Sequence, residues 1–304
     1  MRQARVAAIV LSYNGREVLL QALASLGAMS YTAFDLIVVD NGSTDGSEAA
    51  VREASPAATV VRTEQNLGPA GGLNLGIRWA LERDYDFLLL LNNDIEVEPT
   101  MLDELVAAAE RHPDAAAIGP KIYYHGERRR IWSAGGIIRF KESVTRERGQ
   151  RSIDHGQFDR EEEVDYVNGC AMLIPRRAFS LAGLWDPVFF LSVEDADWCT
   201  RAKRHDLHCY FAPRAIVYHM VSFTTGDYRA GRTYHTGRST AVFIRRYATP
   251  FQWMTYLLFS LAAFPLAYLR ELKRGNQKAA VAKMRGMWDG LRIPIPEPPP
   301  APES

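Results

Sequence analysis

Residues 87–94 read Phe-Leu-Leu-Leu-Leu-Asn-Asn-Asp, and residues 95–99 continue Ile-Glu-Val-Glu-Pro. An apolar run this short, with no polar residue at every second place, predicts a strand over Phe87–Asn92 buried on both faces. It ends in two amides and the Asp94 carboxylate, which leaves polar atoms at the mouth of a sheet. The same kind of run recurs upstream at Val6–Leu11 (VAAIVL), Asp35–Asp40 (DLIVVD) and Thr59–Thr63. Between the runs the period changes. Val18, Leu19, Ala22, Leu23 and Leu26 recur at helical spacing, Asp45 and Glu48 mark a second helix start, and Gly71–Arg83 reads as a third helix. Pro99, with Asp103 and Glu104 behind it, opens a fourth. Strands alternating with helices over short links predict a parallel sheet with right-handed crossovers. Ligands bind such sheets at the carboxyl ends of the strands, which is where Asp40 and Asp94 fall.

The chain has 304 residues, 47% hydrophobic and 24% charged. That composition excludes collagen-like, coiled-coil and wholly disordered chains and leaves room for one or two domains. Lys plus Arg and Asp plus Glu are 36 each, a formal charge of zero. A general nucleic-acid binder needs basic excess to release counterions, so no nucleic-acid partner is expected. Cys170, Cys199 and Cys209 lie at no zinc or redox spacing, which suits a reducing compartment. The first apolar run is too short for a secretory leader.

The pattern breaks over residues 121–165, where Glu127–Arg130 and Lys141–Glu163 are charged. A long hairpin or surface excursion is expected, either a mobile loop or a flap over an acceptor. Tyr166–Pro175 reads as a strand, with further strands near His208–Phe211 and Ile216–His219. Phe251–Leu269 then carries no charge for nineteen residues. Arg245 and Arg246 precede it, and seven Lys or Arg against two acids lie between Arg270 and Arg292. The end, from Pro294, is proline-rich and expected to be disordered.

Five places carry chemistry, each with a plain structural alternative. Asp40, before Asn41-Gly42-Ser43-Thr44-Asp45-Gly46, suits a turn or a contact to a base or ribose. The glycines of Asn66–Asn74 (NLGPAGGLN) would let backbone N–H groups approach a phosphate. Their spacing fits neither a dinucleotide fingerprint nor a P-loop. Asp94 caps a helix or binds a hard divalent cation shared with substrate phosphates. Glu194, Asp195 and Asp197 open a helix. Capping accounts for one or two acids there, and a carboxylate half-screened by the aromatics of Trp185–Leu191 suits a general base. His219 ends an apolar strand and ligates a metal only if it converges on Asp94.

Taken in order, SYNG at Ser12, VVDNGSTDGS at Val38, NLGPAGGLNLGI at Asn66, LLLLNNDIEVEP at Leu88, NGCAMLIPR at Asn168, FFLSVEDADWCTR at Phe189 and VYHMVSFT at Val217 resemble the family-2 inverting glycosyltransferases of GT-A fold. The likeness is to the rhamnosyltransferase-like branch and covers about Val6 to Thr225. It implies an α/β fold, a mostly parallel central sheet flanked by helices, with a GT-A domain over 1–225; beyond it, hydropathy and proline content predict a C-terminal helical, membrane-associated region over 226–293 and a disordered tail over 294–304. It implies donor contacts from Tyr13, Asp40, Asn66, Gly68, Asn74, Asn92 and Asp94, and a cation, Mg²⁺ or Mn²⁺, on Asp94 and His219. Asp195 matches the catalytic base. Glu194 and Asp197 either position the acceptor or orient the helix, Trp185 and Trp198 fall on the acceptor side, as do Phe189 and Phe190, and Arg201 is expected to pair with the acids. One departure stands out: Asn92 replaces the first acid of the D-x-D metal motif, which weakens the cation site.

The resemblance implies a sugar moved from a nucleotide-diphosphate donor, dTDP-rhamnose or a UDP-sugar, to a hydroxyl of a glycan or lipid-linked acceptor in polysaccharide synthesis at the inner face of the cell membrane. A non-catalytic sugar-binding protein on the same scaffold and a nucleotidyltransferase are the rivals; the second lacks a basic residue in Ser12–Gly15. The apolar stretch near 251–269 approaches one membrane span in length. Pro265 and Gln252 favour helices lying in the plane of an anionic surface. Burial on the catalytic domain or in a homodimer is the alternative.

Overall fold

A computed structural model describes residues 2–141, 143–220 and 229–301. The first half alternates as expected: β1 (Val6–Ser12), α1 (Arg16–Gly27), β2 (Phe34–Asp40), α2 (Ser47–Ala54), β3 (Thr59–Arg62), α3 (Gly68–Leu81) and β4 (Phe87–Asn92). β1 lies between β2 and β4, and β3 flanks β2, all parallel. Alternate side chains of a strand leave on opposite faces, so this half-sheet serves two cores. Ala7, Ile9, Ile37, Val39, Leu88 and Leu90 meet Leu73 and Ile77 of α3 on one face. Val6, Ala8, Val10, Leu89 and Leu91 meet Leu19, Leu23 and Leu26 of α1 on the other.

The second half runs β5 (Ile95–Val97), α4 (Met101–Arg111), β6 (Ala115–Tyr124), β7 (Glu127–Ser133), β8 (Gly136–Ile138), β9 (Thr145–Glu147), β10 (Glu162–Val164), β11 (Ala171–Pro175), α5 (Arg176–Ala182), α6 (Glu194–Lys203) and β12 (His208–His219). The sheet order is β10-β12-β6-β11-β4-β1-β2-β3. β11 enters antiparallel between β4 and β6. β12 runs parallel to β6, and its other pairings, with β5 and β10, are antiparallel. The parallel half expected from the sequence therefore continues into a mixed one. Two strands expected near 208–211 and 216–219 form one strand, broken by a register shift between Ala212 and Ile216. The excursion over 121–165 is a hairpin of β6 with β7 followed by a separate β8–β9 ribbon.

The C-terminal part is helical: α7 (Arg229–Tyr247), α8 (Pro250–Lys273) and α9 (Gln277–Gly290). The boundary expected at residue 225, and the end of the VYHMVSFT string beyond Met220, lie outside the described residues. α7 and α9 cross at van der Waals distance of their backbones. A Cβ on Gly286 would sit 1.9 Å from the Tyr234 carbonyl oxygen, so only glycine permits this approach. α8 opens with a capping box between Thr249 and Gln252. Residues 294–301 form neither helix nor strand, but they are not the detached tail the composition suggested. The Pro299 carbonyl accepts from Leu184 N–H at 2.9 Å, and Ile293, Ile295 and Ala301 pack on the core. Apolar residues among the prolines give this segment something to bury.

Candidate active site

The carboxyl ends of β1 and β2 lie side by side, Ser12 opposite Asp40. Tyr13, just beyond, is 39% exposed and free to lie against a base. Asn14 turns the chain at φ 48°, and its Oδ1 accepts from Thr44 N–H at 2.8 Å. Asp40 is buried at the sheet mouth. Its Oδ1 accepts from Ser43 N–H at 2.8 Å and its Oδ2 from the Arg62 guanidinium at 2.7 Å. Both oxygens are engaged, and a base N–H would share the remaining lone pairs.

The loop after β3 is shaped by a residue that sequence reasoning passed over. Asn41 donates to Asn66 Oδ1 and to the Gly68 carbonyl, both at 3.1 Å, and accepts from Leu67 N–H at 3.0 Å. Asn66 Oδ1 also accepts from Gly68 N–H at 2.8 Å. Gly68 has φ +72°, and a Cβ there would sit 2.6 Å from the Phe190 carbonyl oxygen. The loop after β3 thus touches the segment leading to the acidic helix. The Asn74 amide donates to the Trp185 carbonyl at 2.7 Å and accepts from Trp185 N–H at 3.0 Å. It is a buried clamp between α3 and residue 185, and each end of its amide already holds a main-chain partner.

Asp94 and His219 do meet. Antiparallel pairing of β12 with β5 sets His219 opposite Ile95, and His219 Nε2 lies 3.2 Å from Asp94 Oδ1. Met220 N–H donates to the Asp94 carbonyl at 2.9 Å, and Trp132 stands edge-on to the imidazole at 4.6 Å. Both side chains are buried, and His219 Nδ1 has no hydrogen-bond partner. Burial works against a charged imidazole here, but Cys170 and the Asp94 carboxylate outweigh it and push His219 up to about 10. A carboxylate oxygen and an imidazole nitrogen side by side fit a divalent cation that displaces the imidazole proton and takes its other ligands from phosphate oxygens and water. Among the described residues no third protein ligand joins them. Asn92, half-buried at the end of β4, donates its backbone N–H to the Cys170 carbonyl at 3.0 Å. Asn93 ties β4 to β1 through Ser12 Oγ at 3.0 Å.

The acidic helix divides its three acids between two roles. Ser192 and Val193, at φ 73° and 61°, lead into α6 through left-handed backbone that a β-branched residue rarely adopts. Asp195 is half-buried, its Oδ2 accepting from Gly169 N–H at 3.0 Å and its Oδ1 from Ala196 N–H at 2.7 Å. Burial raises its pKa although these bonds pull it down. Burial, then the neighbouring Asp195 charge, push Glu194 up to about 8, and Glu194 Oε2 has no partner. Asp197 is different: it is 0% exposed. Its oxygens take Arg201 at 3.0 Å, Arg246 at 2.7 Å and the Tyr247 hydroxyl at 2.6 Å. These contacts bind α6 to α7 and orient the helix.

Three of the four aromatics expected to wall the acceptor are interior. Trp198 is fully buried and donates to the Gly183 carbonyl at 2.9 Å. Phe189 is buried, with the Arg246 guanidinium over its ring. Trp185 is buried too, its ring edge 3.0 Å from where a Gly169 Cβ would stand. Their apolar bulk fills the space between α5, α6 and α7. Phe190 remains half-exposed, against Gly68 and stacked on His235 at 4.5 Å.

The turn Asn168-Gly169-Cys170 joins what the sequence could not. Gly169 N–H holds Asp195, and the Cys170 thiol lies against His219. Asp195 and the Asp94–His219 pair therefore flank one turn at the carboxyl end of β4. A further acid, Glu147 of β9, reaches the same turn, accepting from Asn168 Nδ2 at 2.9 Å. It sits in a charged run with no periodicity, so no sequence signal distinguished it.

Comparison with known proteins gives the family and the fold. The profile described as Glycosyl transferase family 2 matches residues 7–180. An N-acetylglucosaminyl-diphospho-decaprenol L-rhamnosyltransferase of Mycobacterium tuberculosis is 25% identical over 78% of this chain and 82% of its own length. A dTDP-rhamnosyl transferase, RfbF of Shigella flexneri, is 20% identical over 52% of this chain and 50% of its own. Among solved structures, the mannosyltransferase PcManGT of Pyrobaculum calidifontis, in complex with GDP-Man and Mn²⁺, superposes with a TM-score of 0.62 at 17% identity, covering 96% of this chain and 88% of that one. The fold is GT-A.

Proposed function

This chain belongs to glycosyl transferase family 2, and from that premise we propose that it is an inverting enzyme moving a sugar, rhamnose from dTDP-rhamnose, onto a hydroxyl of a lipid-linked glycan. The observation that carries the reading is the shared turn: Gly169 on Asp195 and Cys170 on His219 bring a carboxylate and a candidate cation pair to one strand end. The donor and acceptor classes come from the rhamnosyltransferase relatives of Mycobacterium tuberculosis and Shigella flexneri.

Asp195 takes the proton of the acceptor hydroxyl as its oxygen bonds to the anomeric carbon. The bond from that carbon to the diphosphate breaks on the opposite face, so configuration inverts. Asp94 and His219 would hold the divalent cation, which when bound neutralises charge gathering on the leaving diphosphate. Mn²⁺ accompanies GDP-Man in the Pyrobaculum enzyme. Tyr13 and Asp40 would receive the base, and Asn66 and Gly68 border the path of the phosphates.

The helix α8 supports a membrane-surface setting. It is the one described helix long and apolar enough to cross a bilayer, and only 6% of its most apolar window is buried. Arg270, Lys273, Arg274 and Lys278 follow its apolar face, which suits anionic headgroups.

The test is transfer from dTDP-rhamnose to a polyprenyl-diphospho-N-acetylglucosamine, with the product's anomeric configuration read by NMR. Asp195→Asn is expected to lower kcat by about 10²–10⁴-fold with donor KM little changed. Near-normal turnover in that variant removes Asp195 from the base role, and a retained anomeric configuration rules out direct displacement.

A further inference from the structure

Glu147 sits outside every motif described above, yet its carboxylate is the hub of the turn beside Asp195. Register pairing with Gly136 on β8 fixes it on the inner end of the ribbon. Its Oε1 accepts from the Tyr166 hydroxyl at 2.7 Å and from Asn168 Nδ2 at 2.9 Å, and its Oε2 accepts from Ser133 Oγ. These three donors are uncharged and come from two segments, Ser133 from the end of β7 and Tyr166 and Asn168 from the stretch before β11. The other end of the Asn168 amide accepts from Cys170 N–H at 2.9 Å. One side chain therefore fixes the orientation of Asn168, Asn168 closes the turn, and the residue inside the turn donates Gly169 N–H to Asp195 at 3.0 Å. Tyr166 is itself held by the bonds between its backbone and Gly136.

We propose that Glu147 is a positioning residue for the sugar-transfer site: by anchoring Asn168 it holds the Gly169 N–H on Asp195 and so sets the basicity of that carboxylate. The inference deepens the reading of Asp195 as base and rests on it for its kinetic arm alone.

The charges around the pair are as follows. Asp195 faces Glu194 and Asp197 of its own helix together with Cys199, and Glu147 and Tyr166 across the turn. Glu147 faces Asp195, Tyr166 and Cys170. Burial pushes Glu147 up to about 7, against hydrogen bonds from Ser133 and Tyr166, and the Asp195 charge adds to the rise. Below about that pH Glu147 is protonated, so deleting it there removes no charge, and a rise in the Asp195 midpoint reports the lost hydrogen bond. A bond to the ionised form lowers a carboxyl pKa, so loosening Gly169 raises it.

The experiment uses the full chain carrying Glu147→Ala or Glu147→Gln, labelled with carbon-13 at aspartate side-chain carboxyls. The Asp195 signal is identified by its loss in Asp195→Asn. In Glu147→Ala the Asp195 midpoint is expected to rise by about half a pH unit or more. In Glu147→Gln, whose amide can still accept from Asn168 and Tyr166, it stays at the wild-type value. With dTDP-rhamnose and polyprenyl-diphospho-N-acetylglucosamine, the acid limb of kcat/KM moves up in the Ala variant, kcat falls about tenfold or more, and Gln restores both. An Asp195 midpoint that does not move in Glu147→Ala overturns the proposal, whatever happens to Tm. If Glu147→Ala does not fold, a Gln variant with a shifted Asp195 midpoint overturns it equally, and an unshifted one supports it. Activity surviving in Asp195→Asn defeats the base reading and leaves the titration arm to decide Glu147.

Discussion

At the level of single residues, the site is a study in which carboxylates are left unpaired. Asp197 has three donors; Glu194 has an oxygen with none. A carboxyl whose pKa is raised on folding favours the folded state while protonated and weakens it once it must ionise. Glu194, near 4.5 when free and about 8 here, therefore costs stability progressively as pH rises between those values. Glu194→Gln is expected to have Tm close to wild type at pH 5 and to exceed it by pH 8.5, where its unfolding free energy is higher by an amount on the order of a few kcal/mol. Parallel Tm profiles across that range would show the carboxylate to be solvated. Asn92 makes a second residue-scale prediction. Cation affinity follows the charge count of the ligands, so Asn92→Asp should tighten Mn²⁺ binding by roughly tenfold in calorimetry; unchanged affinity places residue 92 outside the cation site. Asp94 and His219 were legible as single residues because each ends an apolar strand. Glu147 was not, because nothing in its neighbours marks a strand of three residues.

At the level of elements, strand-and-helix alternation was readable because burial on both faces writes continuous apolar runs. The third helix begins at Gly68 rather than Gly71, since Gly68 and Pro69 form its first turn. What periodicity could not give is how elements are stitched. Asn74 joins α3 to a backbone segment 111 residues away, and its removal would strand the N–H and carbonyl of Trp185 in the interior. Asn74→Ala is expected to cost about 1–3 kcal/mol in urea unfolding while leaving the Kd of the dTDP-sugar within about twofold. A large loss of donor affinity with stability intact would return Asn74 to the donor site. α7 is stitched in the same way. Arg238 and Ser239 donate to the Val188 and Leu191 carbonyls at 2.8 and 2.9 Å, which braces the strained entry to α6 from behind.

For the whole molecule, the unsolved surface is the face of α8. Phe251, Leu258, Leu261 and Leu266 are each more than 60% exposed, in a helix followed by a basic stretch. Full burial of one leucine is worth about 1.5–3 kcal/mol, so Leu258→Glu with Leu261→Glu should weaken co-sedimentation with phosphatidylglycerol-containing vesicles by at least about tenfold. No binding of the wild-type chain to such vesicles, with a dimer seen in sedimentation, would assign the face to a second copy instead. The sequence by itself determined the alternating half of the sheet, the strand ends that carry polar groups, and the presence of an apolar, basic-flanked helix, because burial and chain period are local properties. Only the tertiary structure decided which polar groups face the site and which are structural. Asp195 and Asp197 are two positions apart on one helix. One meets a backbone N–H beside the candidate cation pair; the other meets Arg246 and Tyr247 from a helix about fifty residues downstream. The role of a buried charge is set by what folding brings opposite it, and that partner is distant in the chain.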